Sequence, residues 1–284
     1  MKIIINRITR RISGAELYNV YLLGALKKYK DLEILFSSDN DTLSEKVRKM
    51  GYTISPIKPP LYEVGTKKQL LFAILLLPQY ALVYWKYFRK NGNFDLIIFE
   101  SMNEKIFLTF LLKLWNKKII WIEHGPLFAT RRAALIKLLY KLNSNFVDKI
   151  ICVSKSTQVD LLTAGLNSGK TIVQYIGVDT QKYDIFSPQK SFRMRSKLGL
   201  LKKEIIGFLG TVNEEKGIRK FLEVATIISK VKSNAFFVII GEGNLLEWAK
   251  SEAQKRSLSN KFYFTGFIDE IADYLGIFNI LLFP

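Results

Sequence analysis

Short apolar segments alternate with longer amphipathic segments along most of the chain, and this alternation limits the possible folds more than any other feature. Strands are predicted at KIIIN (2–6), LEILF (32–36) and FDLIIFE (94–100), and residues 14–29 have apolar positions at helical spacing. Strand-like segments separated by helices are typical of a mostly parallel sheet covered on both faces. The predicted fold class is therefore α/β. Further strands are predicted at 52–57, 118–124, 149–154, 171–179, 204–210, 235–243, 261–267 and 279–284.

The alternation stops near residue 180 and restarts at residue 204. The intervening segment is polar, with Pro188 and a basic cluster at 190–203. A chain of 284 residues is long enough for two domains. We therefore predict a first domain at 1–180, a linker at 181–203 and a second domain at 204–284. The single cysteine, Cys152, excludes an internal disulfide framework and is predicted to be a small core residue.

The charge of the chain favours anionic partners. Its formal net charge is +18, and residues 1–180 carry 27 basic and 14 acidic side chains of the 43 and 25 in the whole chain. A membrane surface, a nucleic acid or a phosphorylated substrate would fit this excess. The sequence has no dense basic run interleaved with aromatics and no nucleic-acid-binding module, so no nucleic acid is expected as a partner.

The most apolar stretch, QLLFAILLLPQYALVYW at residues 69–85, is slightly short for a membrane span and is interrupted by Pro78 and Gln79. Lysines and arginines flank it on both sides, so we predict that it docks at the interface of an anionic membrane. The alternative is a buried helix pair kinked at Pro78. MKIIINRITRR places its apolar run before its basic cluster, the reverse of a secretory signal. The predicted location is cytoplasmic, peripheral on the inner face of the membrane.

Ligands of open α/β sheets bind beyond the carboxyl ends of the strands, where helix N-termini attract anions. The first such loop is NRITRRISGAEL (6–17). Ser13 and Glu16 have the spacing of a capping box, which alone explains a well-started helix. Gly14 also allows a ligand to approach the helix closely, and Arg7, Arg10 and Arg11 add positive charge.

Two more loops carry candidate residues. In IGFLGTVNEEKGI (206–218), Gly210 ends a predicted strand and Lys216 precedes Gly217 at the start of a helix, where a lysine can reach a bound phosphate. A solvated Glu-Glu-Lys turn is the alternative, and no Walker A spacing is present. IIWIEHGP (119–126) places the only histidine, His124, at a strand end, in either a structural or a catalytic role. One histidine and one cysteine make a metal site improbable, so no metal is predicted.

Together these loops resemble glycosyltransferase family 4, the retaining enzymes of the GT-B fold. SGAE (13–16) is similar to the glycine-rich loop of the family, EHG (123–125) to its histidine loop, and DKIICVSKSTQVDLL with YIGVDTQKY to the end of its first domain. FLGTVNEEKG, VIIGEGNL and FYFTGFID resemble its second-domain series.

The resemblance implies two Rossmann-like domains facing a cleft, with a nucleotide diphosphate sugar donor on the second and an acceptor on the first. It also implies transfer without a cofactor or bound metal. His124 would be catalytic, near the donor sugar. Donor binding would involve Gly14, Gly210, Thr211, Lys216, Gly241, Gly243 and Phe267, with Lys216 on the diphosphate and Phe267 beside the base.

Three departures from the family pattern stand out. Thr211 occupies the usual place of an arginine, Ile176 replaces the usual asparagine, and the chain ends at Pro284, before the acidic motif of the family. We therefore expect a C-terminally truncated second domain. The predicted function is transfer of a sugar to a lipid- or glycan-linked acceptor in surface polysaccharide or glycolipid synthesis. A non-catalytic GT-B binding or scaffolding protein is the alternative, and an epimerase of the same fold is disfavoured by the single histidine.

Overall fold

The computed structural model describes residues 1–9, 14–60, 66–128, 133–178, 180, 187–268 and 271–284. The chain divides into two compact units, Met1–Val178 and Asp179–Pro284. Each unit has its own parallel sheet and its own hydrophobic core. The predicted α/β fold class is therefore confirmed within each unit.

In the described part of the first unit, seven strands form one parallel sheet. They are β1 (Lys2–Arg7), β2 (Glu33–Ser38), β3 (Thr53–Ile54), β4 (Leu96–Phe99), β5 (Lys118–Glu123), β6 (Lys149–Cys152) and β7 (Thr171–Val173). Their spatial order is β3-β2-β1-β4-β5-β6-β7. The last predicted strand, 171–179, is shorter than expected, because pairing with β6 ends at Val173.

Helices cover both faces of this sheet. They are α1 (Gly14–Leu26), α2 (Asp41–Lys49), α3 (Lys67–Asn91), α4 (Met102–Phe107), α5 (Thr109–Leu114), α6 (Ala134–Ser144) and α7 (Lys155–Thr163). Alternate residues of β1 point to opposite faces: Ile4 packs with residues of α3 to α7, and Ile3 and Ile5 pack with α1 and α2. The sheet thus lies between a two-helix layer and a larger layer built on α3 to α7.

Helix α3 contains the most apolar stretch of the sequence. The predicted alternative of a helix pair is wrong, because the helix runs without a break from Lys67 to Asn91 with Pro78 inside it. It begins with a capping box in which Thr66 and Gln69 each accept the backbone N–H of the other. Among the described helices it alone is long and apolar enough to cross a membrane, and 28% of its most apolar window is buried.

The second unit has four described strands in the order β10-β9-β8-β11, all parallel. They are β8 (Glu204–Leu209), β9 (Ala235–Ile240), β10 (Phe262–Gly266) and β11 (Ile280–Leu281). The helices are α8 (Pro188–Lys197), α9 (Ile218–Val231), α10 (Leu246–Lys255) and α11 (Ala272–Leu275).

The segment predicted as a linker, 181–203, requires a correction. Residues 181–186 lie outside the described part, but Pro188–Lys197 forms helix α8, started by Ser187, whose side chain accepts the N–H of Lys190. Leu200 is buried in the second core with Met194 and Leu198 packed against that core. The polar composition of the segment hid these apolar anchors, and 188–203 belongs to the second unit.

Candidate functional site

The sequence-predicted residues lie at the carboxyl ends of the two sheets. Six belong to the second unit, in the loops after β8, β9 and β10: Gly210, Thr211, Lys216, Gly241, Gly243 and Phe267. Gly14 and His124 belong to the first unit, after β1 and β5. Each group is therefore a separate cluster within its own unit.

Three glycines of the second unit allow two loops to touch backbone to backbone. A Cβ added to Gly241 would lie 2.0 Å from the carbonyl oxygen of Gly210, and one on Gly243 would lie 2.2 Å from the carbonyl oxygen of Val212. Gly210 and Gly241 have φ angles of 144° and 135°, which favour glycine. The N–H of Val212 donates to Glu242 O over 2.9 Å. This close packing explains the glycines without a ligand, and their predicted role in donor binding stays a prediction.

Lys216 lies in the turn between β8 and α9. Its N–H donates to Asn213 Oδ1 over 2.9 Å, and Gly217, at φ 72°, caps the following helix. Its side chain is exposed and lies against Gly210, with Cγ 4.0 Å from where a Cβ of that glycine would be. Among the described residues its ammonium group has no ion pair, whereas Arg219 nearby pairs with Glu214 over 2.6 Å. Lys216 is thus an unneutralised cation beside the N-terminus of a 14-residue helix.

Thr211 and Phe267 complete this cluster on its exposed side. Both side chains are exposed, Phe267 by 58%. The N–H of Phe267 donates to Glu242 Oε1 over 3.4 Å, which links the loops after β9 and β10. An exposed aromatic ring can stack on a planar group, and a helix N-terminus with a nearby cation can hold a phosphate.

His124 is held by a buried carboxylate that the sequence analysis missed. Its Nε2 lies 2.8 Å from Oε2 of Glu100, the residue directly after β4, and Asn19 Nδ2 on α1 donates to the same oxygen over 2.9 Å. Oε2 of Glu100 thus lies within hydrogen-bond distance of both the amide of Asn19 and the ring of His124. The signal in the sequence was a glutamate ending the apolar strand FDLIIFE.

The surroundings of this pair are closed and polar. Glu100 is 4% exposed, and its Oε1 has no hydrogen-bond partner among the described residues. The ring of Tyr18 stands edge-on to His124 with centroids 5.2 Å apart. Burial, and then the nearby Glu100, raise the pKa of Tyr18 to about 12. His124 itself is partly exposed.

The loop after His124 is fixed by buried polar groups. Asp160 Oδ2 accepts the N–H groups of Leu127 and Phe128 at 2.6 and 2.7 Å. Glu123 forms a buried ion pair with Lys105 and accepts the hydroxyl of Tyr140 over 2.8 Å. These contacts hold the chain on both sides of His124.

Gly14 and its neighbours are only partly described. Gly14 is the first residue of α1, and an added Cβ would have no atom within 4 Å. Glu16 is buried and pairs with Arg7 over 2.6 Å. Arg10, Arg11 and Ser13 lie outside the described residues, so the capping box with Ser13 stays a prediction. No protein contact in the described structure therefore requires a glycine at position 14.

Metal ligands were not expected. Within the described ranges no three or more histidine, cysteine, aspartate or glutamate side chains cluster in a way that suits a metal ion. Burial, and then Glu123, raise the pKa of Cys152 to about 11, so this thiol is a poor ligand and nucleophile. Metal-free chemistry remains the prediction.

Two family models match successive parts of the chain. Residues 12–182 match the model described as Glycosyltransferase Family 4, and residues 190–284 match Glycosyl transferases group 1. Together they cover both units.

Curated relatives match over shorter segments. A 2-deoxystreptamine glucosyltransferase from Streptomyces kanamyceticus is 25% identical over 130 residues, which are 44% of this chain and 33% of that protein. A 2-deoxystreptamine N-acetyl-D-glucosaminyltransferase from Niallia circulans is 32% identical over 95 residues, 33% of this chain and 24% of that protein. The matched segments thus span a third or less of these two relatives.

Solved structures share the fold over nearly the whole chain. HepE from Anabaena in complex with UDP superposes with a TM-score of 0.82 at 17% identity, over 99% of this chain and 73% of that one. The complex of the same protein with UDP-glucose gives 0.80 at 18% identity, with the same coverage. At this identity the likeness concerns the fold, and the predicted class of two Rossmann-like domains is confirmed.

Proposed function

The chain belongs to glycosyltransferase family 4, and from that membership we propose that it acts in the retaining transfer of a sugar from a nucleotide diphosphate donor to an acceptor. The observation that carries the proposal is the loop after β8, where an unneutralised lysine stands beside the N-terminus of α9. As a diphosphate leaves the sugar, its negative charge grows, and preorganised cations and N–H groups stabilise that charge. HepE was solved with UDP and with UDP-glucose, which makes a uridine diphosphate sugar the first donor to test.

For the other site residues we propose the roles that the family resemblance implies. In this proposal Phe267 borders the base, and His124 contacts the donor sugar. The backbone N–H groups in the first turn of α9 receive the phosphates, with Gly210, Gly241 and Gly243 holding the preceding loop in shape. Thr211 supplies a hydroxyl and no charge, so Lys216 is the one basic residue in the sequence of this loop, 210–217.

The test is calorimetry of UDP and uridine binding to Lys216→Ala. A charged hydrogen bond contributes about 1.5–3 kcal/mol, so affinity for UDP falls about 10- to 150-fold while that for uridine is unchanged. Lys220→Ala is the matched control, since Lys220 is an exposed lysine in the first turn of the same helix. Equal losses for UDP and uridine would show that Lys216 supports the loop instead of the diphosphate.

For the acceptor, we favour a lipid- or glycan-linked molecule of surface polysaccharide or glycolipid synthesis. The support is the basic excess of the first unit and the exposed apolar side of α3. The competing acceptor is a small aminocyclitol, since two relatives are named for 2-deoxystreptamine. Radiolabelled sugar in an organic extract or in a large water-soluble glycan supports the favoured acceptor, and radiolabel in a small water-soluble product supports the aminocyclitol.

The basic excess of the first unit and the exposed apolar side of α3 also favour a cytoplasmic protein that lies peripherally on the inner face of the membrane. The competing function is a non-catalytic binding or scaffolding protein of this fold, which the uncharged Thr211 favours. UDP binding without donor turnover or transfer would support that second function.

A further inference from the structure

Three helices of the first unit turn their outer sides the same way. The inner sides of α3, α5 and α6 are buried in one hydrophobic core. The buried residues are Leu70 and Tyr84 of α3, Leu112 of α5 and Ile136 of α6. Since these helices pack on one face of one sheet, their outer sides form a common surface.

That surface is apolar on every one of the three helices. On α3 the exposed side chains include Leu71, Phe72, Leu75, Leu82 and Trp85, with Leu75 exposed by 76%. On and directly after α5 they are Phe110, Leu111, Leu114 and Trp115. On α6 they are Leu135, Leu138 and Leu142, a stripe at helical spacing.

Ring contacts show that α5 is a neighbour of both α3 and α6. Phe110 on α5 meets Phe146, just after α6, with centroids 5.1 Å apart. Trp115 after α5 meets Phe88, a buried ring on the inner side of α3, at 6.4 Å. Single exposed hydrophobic residues are normal, but a connected apolar surface of this extent indicates a partner. On the opposite layer, the described residues of α1 and α2 expose one large hydrophobic side chain, Leu17.

The charges on these helices are of one sign. The sequence of α3 has five lysines and arginines, that of α5 one and that of α6 two, and none of the three contains aspartate or glutamate. Apolar residues among basic ones, with tryptophans at the border, suit the headgroup region of an anionic bilayer. Arg89 stacks on Trp85 at 4.9 Å, which keeps a cation beside an exposed aromatic ring.

The inner contacts of α3 decide between spanning a membrane and lying on it. The hydroxyls of Tyr80 and Tyr84 donate to the buried Glu104 at 2.8 and 2.5 Å. Inserting α3 across a bilayer would break both bonds and carry these tyrosines out of the core. The helix therefore presents its outer side while its inner side stays in the domain.

We propose that the outer surface of α3, α5 and α6 is one docking face for an anionic lipid bilayer. This deepens the proposed function, on which it rests, by naming the surface that brings the first unit to a lipid-linked acceptor. The sequence predicted membrane docking only for the stretch that forms α3. The structure adds the exposed apolar residues of α5 and α6 to the same surface.

The test is sedimentation of the whole chain with vesicles of phosphatidylglycerol and phosphatidylcholine, or of phosphatidylcholine alone, at low salt. The chain is expected to sediment with the anionic vesicles. The pair Leu114→Glu with Leu138→Glu lies outside α3 and is expected to lower partitioning about tenfold or more, since it removes apolar contact and adds negative charge. The matched control is Ile227→Glu with Val231→Glu on α9, equally exposed and apolar, with unchanged partitioning expected.

Two results of the sedimentation assay would overturn the proposal. The first is wild-type protein that does not sediment with anionic vesicles, and the second is a Leu114→Glu, Leu138→Glu double variant that sediments as much as wild type. An equal loss in the α9 control would also overturn it, because the effect would then come from charge alone. UDP calorimetry on the same variants separates the two proposals, since a docking defect leaves the nucleotide affinity unchanged. Circular dichroism excludes loss of fold as the cause.

Discussion

Glu100→Gln tests the support of His124. The substitution keeps the size of the side chain and an oxygen that can accept from both His124 and Asn19, but it removes the negative charge. Hydrogen bonds to a charged partner contribute about 1.5–3 kcal/mol and neutral ones about 0.5–1.5 kcal/mol. Two bonds each weakened by about 1 kcal/mol lower the free energy of unfolding by about 2 kcal/mol.

Urea unfolding followed by circular dichroism measures that free energy. The matched control is Glu33→Gln, since Glu33 is an exposed glutamate paired with Lys2 at 3.3 Å in the same unit. An exposed pair contributes little, so the control is expected to change stability by less than about 0.5 kcal/mol.

The position of the proton on the His124 ring can be measured as well, because His124 is the only histidine in the chain. Nitrogen NMR of the neutral ring is therefore free of overlap, and we expect the proton on Nε2, where Glu100 accepts it. A wild-type ring protonated on Nδ1, or a Glu100→Gln protein as stable as the control, would refute the reasoning.

Two further predictions concern a pair of glycines and a buried tyrosine. Gly241→Ala is expected to lower the free energy of unfolding by about 3 kcal/mol or more, because its Cβ would overlap the carbonyl of Gly210. Gly14→Ala is expected to keep its stability, because a Cβ there meets no atom within 4 Å. Urea unfolding measures both, and an unstable Gly14→Ala protein would contradict this contrast. The pKa of Tyr18 is raised to about 12, so the folded state keeps this proton when the unfolded chain loses it near pH 10, and stability falls as the pH rises from 10 to 12. Tyr18→Phe should lose less stability over that range in urea unfolding, and an identical pH dependence of the two proteins would contradict the assignment.

Local patterns in the sequence predicted the sheets well. Isoleucine-rich segments such as KIIIN form central strands, because a strand buried on both faces needs apolar residues at every position. The loops after these strands were also located correctly, since Gly210 and Gly217 mark turns with positive φ.

Local sequence patterns could not predict contacts between residues that are far apart in the sequence. Glu100 and His124 are 24 residues apart and meet because β4 and β5 are neighbours, and Asn19 joins them from α1. Helix α8 was missed because its segment is polar and is anchored by few apolar residues, among them Leu200. The sequence also could not show why positions 241 and 243 need glycine. A side chain at either position would overlap a backbone carbonyl group of the loop after β8.

The contact between the loops after β8 and β9, at Gly210, Gly241 and Gly243, affects how quickly a ligand can bind. Because the loop after β8 is held by the backbone of the loop after β9, it takes its shape when the second unit folds and needs no ligand to do so. Ordering one residue costs about 1–2 kcal/mol, so a loop ordered beforehand spares a ligand several such losses. Association should then be a single fast phase whose rate grows in proportion to ligand concentration, without a slower step of loop rearrangement.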